Sequence, residues 1–254
     1  MAGPGALAYN SIVVWIPLLL VAGVVTAVAC ARLCRASIAA GGSAAGTAWA
    51  GELTLGEAAF LAGGPGRVTE LTLVAMHRDR RLLLARTGWA TVVDGSGGGD
   101  ELERAVLGAI GPEGQAPVPG LRPAVAGAAC VRRIEEGLVE RGLAVPAPGR
   151  REVAAGLRAV RGAFLLALAL GAVAVPLVPE ADRTRVVAGF ALPLTASGLC
   201  LLMGRAESYP HSPWASHAGQ RLLAGLSAED PLTALATRGP AVLEPELRAA
   251  LGTS

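Results

Sequence analysis

The sequence predicts a mainly α membrane protein, with three transmembrane helices and a cytoplasmic helical domain that carries a small β-hairpin. Three observations predict it: three long runs without a charged residue, arginines gathered on one side of those runs, and helix-period patterning with one short β-pattern between the first two. The background agrees. Of 254 residues 52% are hydrophobic and only 17% are charged, where a soluble domain carries about a quarter. Such a chain is not disordered as a whole, and 4 Cys make no disulfide framework. All 22 basic residues are Arg, beside 34 Gly, a bias of GC-rich coding that makes arginine abundance uninformative. A net charge of +2 gives no case for wholesale nucleic-acid binding.

The first run, 11–31 (SIVVWIPLLLVAGVVTAVACA), is charge-free. At about 1.5 Å per residue it covers roughly 30 Å, the thickness of a bilayer core. A cleaved signal peptide would want a basic start and a shorter apolar stretch; the first ten residues carry no charged side chain. The second and third runs, 162–178 and 186–204, are joined by PEADRTR (179–185), which suits a tight helical hairpin. Arg32 and Arg35 follow the first run, and Arg150, Arg151, Arg158 and Arg161 precede the second. The hairpin loop has only Arg183 and Arg185, and the N-terminus none. Positive residues stay inside. The expectation is a multi-pass plasma-membrane protein with its N-terminus outside and with residues 32–161 and the tail 205–254 cytoplasmic.

No Asp, Glu, Arg or His lies within the three runs, which argues against a pump or a proton-coupled transporter. Small residues recur at four-residue spacing: Ala163, Ala167 and Gly171 in the second run, Gly189, Pro193 and Ser197 in the third, Gly23 and Ala27 in the first. Such faces allow close helix packing. Pro17, Pro176 and Pro193 are expected to kink their helices.

Between the runs, 32–51 is expected to be a flexible link, and structure is expected in two units. The first, 52–94, opens with Thr54 and Glu57 as a capping box. Its short helix ends at Gly63-Gly64, and Pro65 opens a second helix carrying Val68, Leu71 and Ala75. Leu82–Leu84 and Trp89–Val93 then form a hairpin around Thr87-Gly88. A Gly-rich linker, 95–100, leads to the second unit, 100–150. There Asp100 caps a helix with Glu103 at its third position, and Gly111-Pro112 ends it. A Pro/Gly-rich loop runs to Pro123, and one helix continues to Arg141 before Gly142. The shared outline predicts tandem winged-helix-like units. Arg78, Arg80, Arg81 and Arg86 near the hairpin, with Arg132, Arg133 and Arg141, are the residues a DNA-binding reading would use. Residues 32–161 nevertheless hold 16 Arg against 13 Asp and Glu. Arg132 and Arg133 are answered by Glu135, Glu136 and Glu140 on the same helix, so nucleic acid is not the expected partner.

No catalytic, cofactor-binding or metal site is assigned. Cys30 and Cys34 straddle the membrane boundary without a nearby His and read as small apolar helix residues; Cys130 and Cys200 stand alone. His211 and His217 flank Trp214 in a stretch read as an interfacial loop, and His77 has no identifiable nucleophile beside it. GGPGR (63–67) lacks the ending of a phosphate-binding loop and reads as a turn. The tail offers short amphipathic helices at 218–226, 230–237 and 243–251 that either lie on the membrane or pack on the cytoplasmic domain.

The segment LTLGEAAFLAGGPGR (53–67), with ELERAV (101–106), GLVERGL (137–143), AGQRLL (218–223) and LRAAL (247–251), resembles a family of uncharacterised membrane proteins of GC-rich Gram-positive bacteria. The resemblance covers most of the chain from about residue 52, and its most specific part is EAAFLAGGP. It implies an N-terminal span, a cytoplasmic domain and a membrane hairpin, and it implies no activity or site residue. Many members continue into a Gly- and Cys-rich tail where this chain reads Gly-Thr-Ser.

The expected function is therefore non-enzymatic. The chain reads as a scaffold, adaptor or regulator in the lipid bilayer that binds a protein partner through residues 52–150, with no cofactor or small-molecule ligand assigned. The alternatives are a membrane-tethered transcription regulator and an auxiliary subunit of a transport or secretion complex.

Overall fold

The computed structural model describes residues 4–42, 51–96, 99–207, 212–227 and 229–252. In chain order its elements are α1 (Pro4–Gly42), α2 (Leu55–Arg78), β1 (Leu82–Ala85), β2 (Trp89–Val92), α3 (Glu101–Ile110), β3 (Gln115–Pro117), α4 (Val118–Ala126), α5 (Ala129–Glu140), α6 (Ala147–Ala174), α7 (Glu180–Glu207), α8 (His217–Ala224), α9 (Pro231–Arg238) and α10 (Pro245–Ala250). They fall into two units, Met1–Gly42 with Ala147–Pro210, and Ser43–Pro146 with His211–Ser254.

The first unit holds three helices long and apolar enough to cross a membrane, Trp15–Ala39, Ala147–Leu177 and Glu180–Met203. All three outrun the charge-free stretches. Residues 32–42, expected as a flexible link, continue α1, because the Ala, Leu and Arg that fill them are strong helix formers; the rest of that link, 43–50, lies outside the described residues. The expected loop 179–185 shrinks to Val178-Pro179. Glu180 and Asp182 open α7 where a helix N-terminus favours carboxylates, and Arg183 and Arg185 pair with them at 3.2 and 3.1 Å.

Each helix turns a seam of buried residues inward: Ala22, Thr26, Ala29, Leu33 and Ala36 on α1, Gly156, Val160, Ala163, Ala167 and Ala174 on α6, and Val186, Phe190, Pro193 and Ser197 on α7. Steps of four and three alternate along these seams. This is the heptad period of left-handed packing, in place of the four-residue stripes expected from the small residues. Ala163, Ala167, Pro193 and Ser197 belong to the seam. Gly171 and Gly189 sit beside it as close-approach points, where an added Cβ would come within 3.3 Å of Phe190 and 3.0 Å of Leu19. Leu20, Val24, Leu165, Leu192, Leu199 and Leu202 are exposed, an apolar surface of the kind that suits lipid.

The second unit is organised by α2. Thr54 and Glu57 close the capping box in both directions. The helix breaks at Gly64 (φ 71°, ψ −162°), and Pro65 restarts it at the one helical position where a missing N–H costs nothing. From Val68 to Val74 every residue of α2 is buried. With Phe60, Leu61 and Met76 of the same helix, Leu82, Leu121, Leu138, Leu143, Leu235 and Leu251 fill the core around it, each almost wholly sequestered. Residues 52–94, 100–150 and the tail thus feed one core.

The hairpin forms in register Leu82↔Val92, Leu83↔Thr91, Leu84↔Ala90 and Ala85↔Trp89. Its third strand comes from a stretch expected to be loop. β3 joins β2 with Trp89↔Pro117, Ala90↔Ala116 and Thr91↔Gln115, so a strand from the 100–150 stretch completes the sheet begun in 52–94. The rest of that loop is α4, whose Pro119 occupies the first turn and whose Val118, Leu121 and Val125 are buried. Gly127-Ala128 separates α4 from α5, making two helices of the one expected. Asp100 caps α3 through the Glu101 N–H at 2.6 Å, while Glu103 turns away to Arg81 and closes no capping box.

The tail packs on this core. Leu235 and Ala236 of α9 and Ala250 and Leu251 at the end of α10 are buried in it. The chain just before α6 and the chain after α7 are clasped together. Ala144 and Ala215 form a β-bridge, the Val145 N–H donates to Trp214 O (2.9 Å) and the Ser216 N–H to Leu143 O (2.8 Å). The Ser216 hydroxyl donates to Gly142 O (2.6 Å) while accepting from the Gly219 N–H (3.2 Å) as the cap of α8.

Candidate interaction surface

The segment 53–67 is a seat for the tail. Gly64 has no Cβ, and Trp214 lies where one would be. The indole also meets Phe60 edge-on, with ring centroids 5.4 Å apart and planes at 73°. Trp214, expected to anchor an interfacial loop, is instead engaged within this unit. Three residues on, Arg67 reaches Leu235 O (3.5 Å) and Glu70 (3.6 Å). Glu70, 6% exposed, also holds Arg122 (3.0 Å), which donates to Leu251 O (2.7 Å). Burial lowers the Arg67 guanidinium, opposed by Glu70 and reinforced by Arg122. One buried carboxylate thus orients two arginines that bind the final turns of α9 and α10.

Internal pairing absorbs most of the arginines that a nucleic-acid reading would need. Arg81 pairs with Glu103, and Arg141 with Glu57. Arg133 bonds Glu101 of α3 at 2.7 Å, with Glu136 of its own helix adding to the attraction, and Arg132 donates to Gly127 O just before α5 at 3.2 Å. Burial by itself would raise the Glu57 carboxyl, but the Thr54 N–H, the Arg141 guanidinium and the Thr54 hydroxyl together hold it below the ordinary range. Arg78 and Arg86 make only long, exposed pairs, with Asp230 (3.9 Å) and Glu246 (3.8 Å). Arg80 is exposed in the α2–β1 turn.

The sheet places its two faces in unlike surroundings. Leu82, Leu84 and Ala90 point into the core. Leu83, Trp89 and Val93 point the other way and are 52%, 46% and 64% exposed. Ala85, Thr91, Gln115 and Pro117 share that outer face by register. A row of Leu, Trp and Val open to solvent is unusual unless something covers it.

His77 Nδ1 lies 3.1 Å from Leu82 O and 3.4 Å from the Leu84 N–H, clipping the end of α2 to β1. Cys130 is buried, Cys30 and Cys200 are half-buried and Cys34 is exposed. His217 is exposed at the start of α8, and His211 lies outside the described residues. Among the described residues no three His, Cys, Asp or Glu gather as a metal site would need. Sequence reasoning missed the Trp214 seat and the Glu70 cluster; the available signal for the second was the i,i+3 spacing of Arg67 and Glu70.

Comparison with known families, curated proteins and solved structures finds no match for this chain.

Proposed function

We propose that this chain is a plasma-membrane scaffold or adaptor that binds a protein partner through residues 52–150, without chemistry of its own. The uncovered sheet face, Leu83, Trp89 and Val93, carries this reading. An aromatic anchor among aliphatic neighbours is the composition of a binding hot spot. The resemblance through 53–67 supports kinship with Gram-positive membrane proteins, and Phe60, Gly64 and Arg67 give that segment a structural task.

The reading also takes the N-terminus as outside and both parts of the sheet-bearing unit as cytoplasmic. The clasp supports this: Ala144 and Ala215 are bridge partners, held by the bonds of their neighbours, so an even number of crossings separates them. The arginines beside the spans supply the direction.

The test is a photo-crosslinking amino acid at position 89 in the full chain in its native membrane, with one at the exposed Arg104 as control. A discrete adduct from position 89 that disappears with Leu83→Asp supports the proposal. No adduct at 89, or the same adducts from 104, overturns it.

The order α2, β1, β2, with Arg78, Arg80 and Arg86 exposed, favours as second reading a membrane-tethered transcription regulator with winged-helix-like units. Against it, α2 has no free row of side chains to lay in a groove, being buried from Val68 to Val74. A salt-dependent gel shift by the detergent-solubilised chain would revive it. Stable co-purification with a channel or translocase would favour an auxiliary subunit instead.

A further inference from the structure

We propose that the sheet-bearing unit is a split domain whose core closes only when α6 and α7 have both crossed the membrane, so that its folding reports correct insertion of the hairpin. The unit is built from two pieces of chain, 51–146 and 212–252, and the entire hairpin lies between them. The second piece is no accessory. Leu235 and Leu251 are at most 1% exposed against the first piece, and Trp214 fills the notch at Gly64. Arg67 and Arg122 donate to Leu235 O and Leu251 O.

Without the tail, α2 loses the packing of α8 and α9 against it. The half-buried Arg67 and Arg122, held by the buried Glu70, lose two carbonyl acceptors, leaving donors that are costly to strand. The two pieces meet at the clasp, where the Val145 N–H bonds Trp214 O and the Ser216 N–H bonds Leu143 O on either side of the Ala144–Ala215 bridge. These residues lie just before α6 and in the chain after α7. A hairpin that crosses twice returns the tail to the side where 51–146 waits. A single crossing leaves the two halves separated by the bilayer, and no rearrangement of either half can restore the core. The parity of crossings is thereby converted into the presence or absence of a folded domain.

The test uses two deletions in the full chain, each with a C-terminal epitope tag, expressed in membranes and compared with the parent. Removing 180–207 leaves a single crossing between 51–146 and the tail. Replacing 147–207 by a short Gly/Ser linker leaves none and needs little reach, because Ala144 and Ala215 are bridge partners. Tag accessibility in sealed vesicles reports the side of the tail, and limited trypsin digestion in opened vesicles reports protection of 51–146. In the parent and the linker chain the tag lies with 51–146 and that segment resists trypsin. In the chain lacking 180–207 the tag lies opposite, and 51–146 is cut about tenfold faster or more. Protection that follows the side of the tag in every chain supports the proposal. Protection of 51–146 with the tag on the opposite side, or loss of protection with the tag on the same side, overturns it.

Discussion

Replacing Gly64 by alanine is the most direct probe of how the second unit is held together. Its backbone, at φ 71° and ψ −162°, lies in a region that side-chain-bearing residues essentially do not occupy, so the backbone alone costs about 1–3 kcal/mol. The new Cβ also overlaps the six-membered ring of Trp214, and the indole must leave its seat. A buried Trp is worth about 3–5 kcal/mol; Trp214 is half-buried, so about half of that is lost, including the edge-on contact with Phe60 at about 0.5–1.5 kcal/mol. The expected total for Gly64→Ala is about 3–5 kcal/mol. Pulse proteolysis of the full chain in mild detergent measures it, on the parent, Gly64→Ala, Trp214→Ala and the double variant. In the Trp214→Ala background the steric part vanishes and Gly64→Ala costs only the backbone part, so the two single costs exceed that of the double variant by about 1–2 kcal/mol. A Gly64→Ala cost under about 0.5 kcal/mol, or strict additivity, refutes the reasoning.

Glu70→Ala leaves two half-buried guanidinium groups without their shared carboxylate and is expected to cost about 1–3 kcal/mol, whereas the apolar triple variant Arg67→Met, Glu70→Leu, Arg122→Met costs clearly less; urea titration of both decides it. Thr54→Ala opens the capping box and costs about 1 kcal/mol by the same titration. The Glu57 carboxyl is held below its ordinary value of 4.5 when folded, so its contribution to stability is complete above that value and disappears as pH falls through the lower folded value. Glu57→Gln therefore loses stability at neutral pH and flattens the acid limb of a stability–pH curve. Arg80 takes the left-handed turn after α2 (φ 58°), where the Arg81 N–H returns to Met76 O at 2.9 Å. Arg80→Gly is expected to raise stability by about 0.5–1 kcal/mol, read as a higher melting midpoint.

What the sequence made legible was local. The Thr54–Glu57 box, the break before Pro65, the hairpin around Gly88 and the stops at Gly111 and Gly142 each depend on a few adjacent residues, and each stands in the structure. Prolines misled where position outweighed identity: Pro119 in the first turn of α4 resembles a breaker and is not one. Residues 32–42 resembled a link because Gly and Ser near its end drew attention from the Ala-rich run before them. The seams of the membrane helices were hidden by abundant Ala and Gly, whose four-residue matches crowd any seven-residue pattern. Least legible were the contacts across the hairpin. Trp214 against Gly64 and Arg122 against Leu251 O join residues far apart in sequence, and no window along the chain contains both members.

The small sheet has one more consequence, at its rim. β3 is three residues long, and its Pro117 has no N–H to offer a further strand, while α10 packs against β1. Copies crowded into one bilayer patch are thereby discouraged from zipping together into ribbons. The proposed partner would likewise lie across the Leu83–Trp89–Val93 surface, as a helix or loop does, and would not lengthen the ladder.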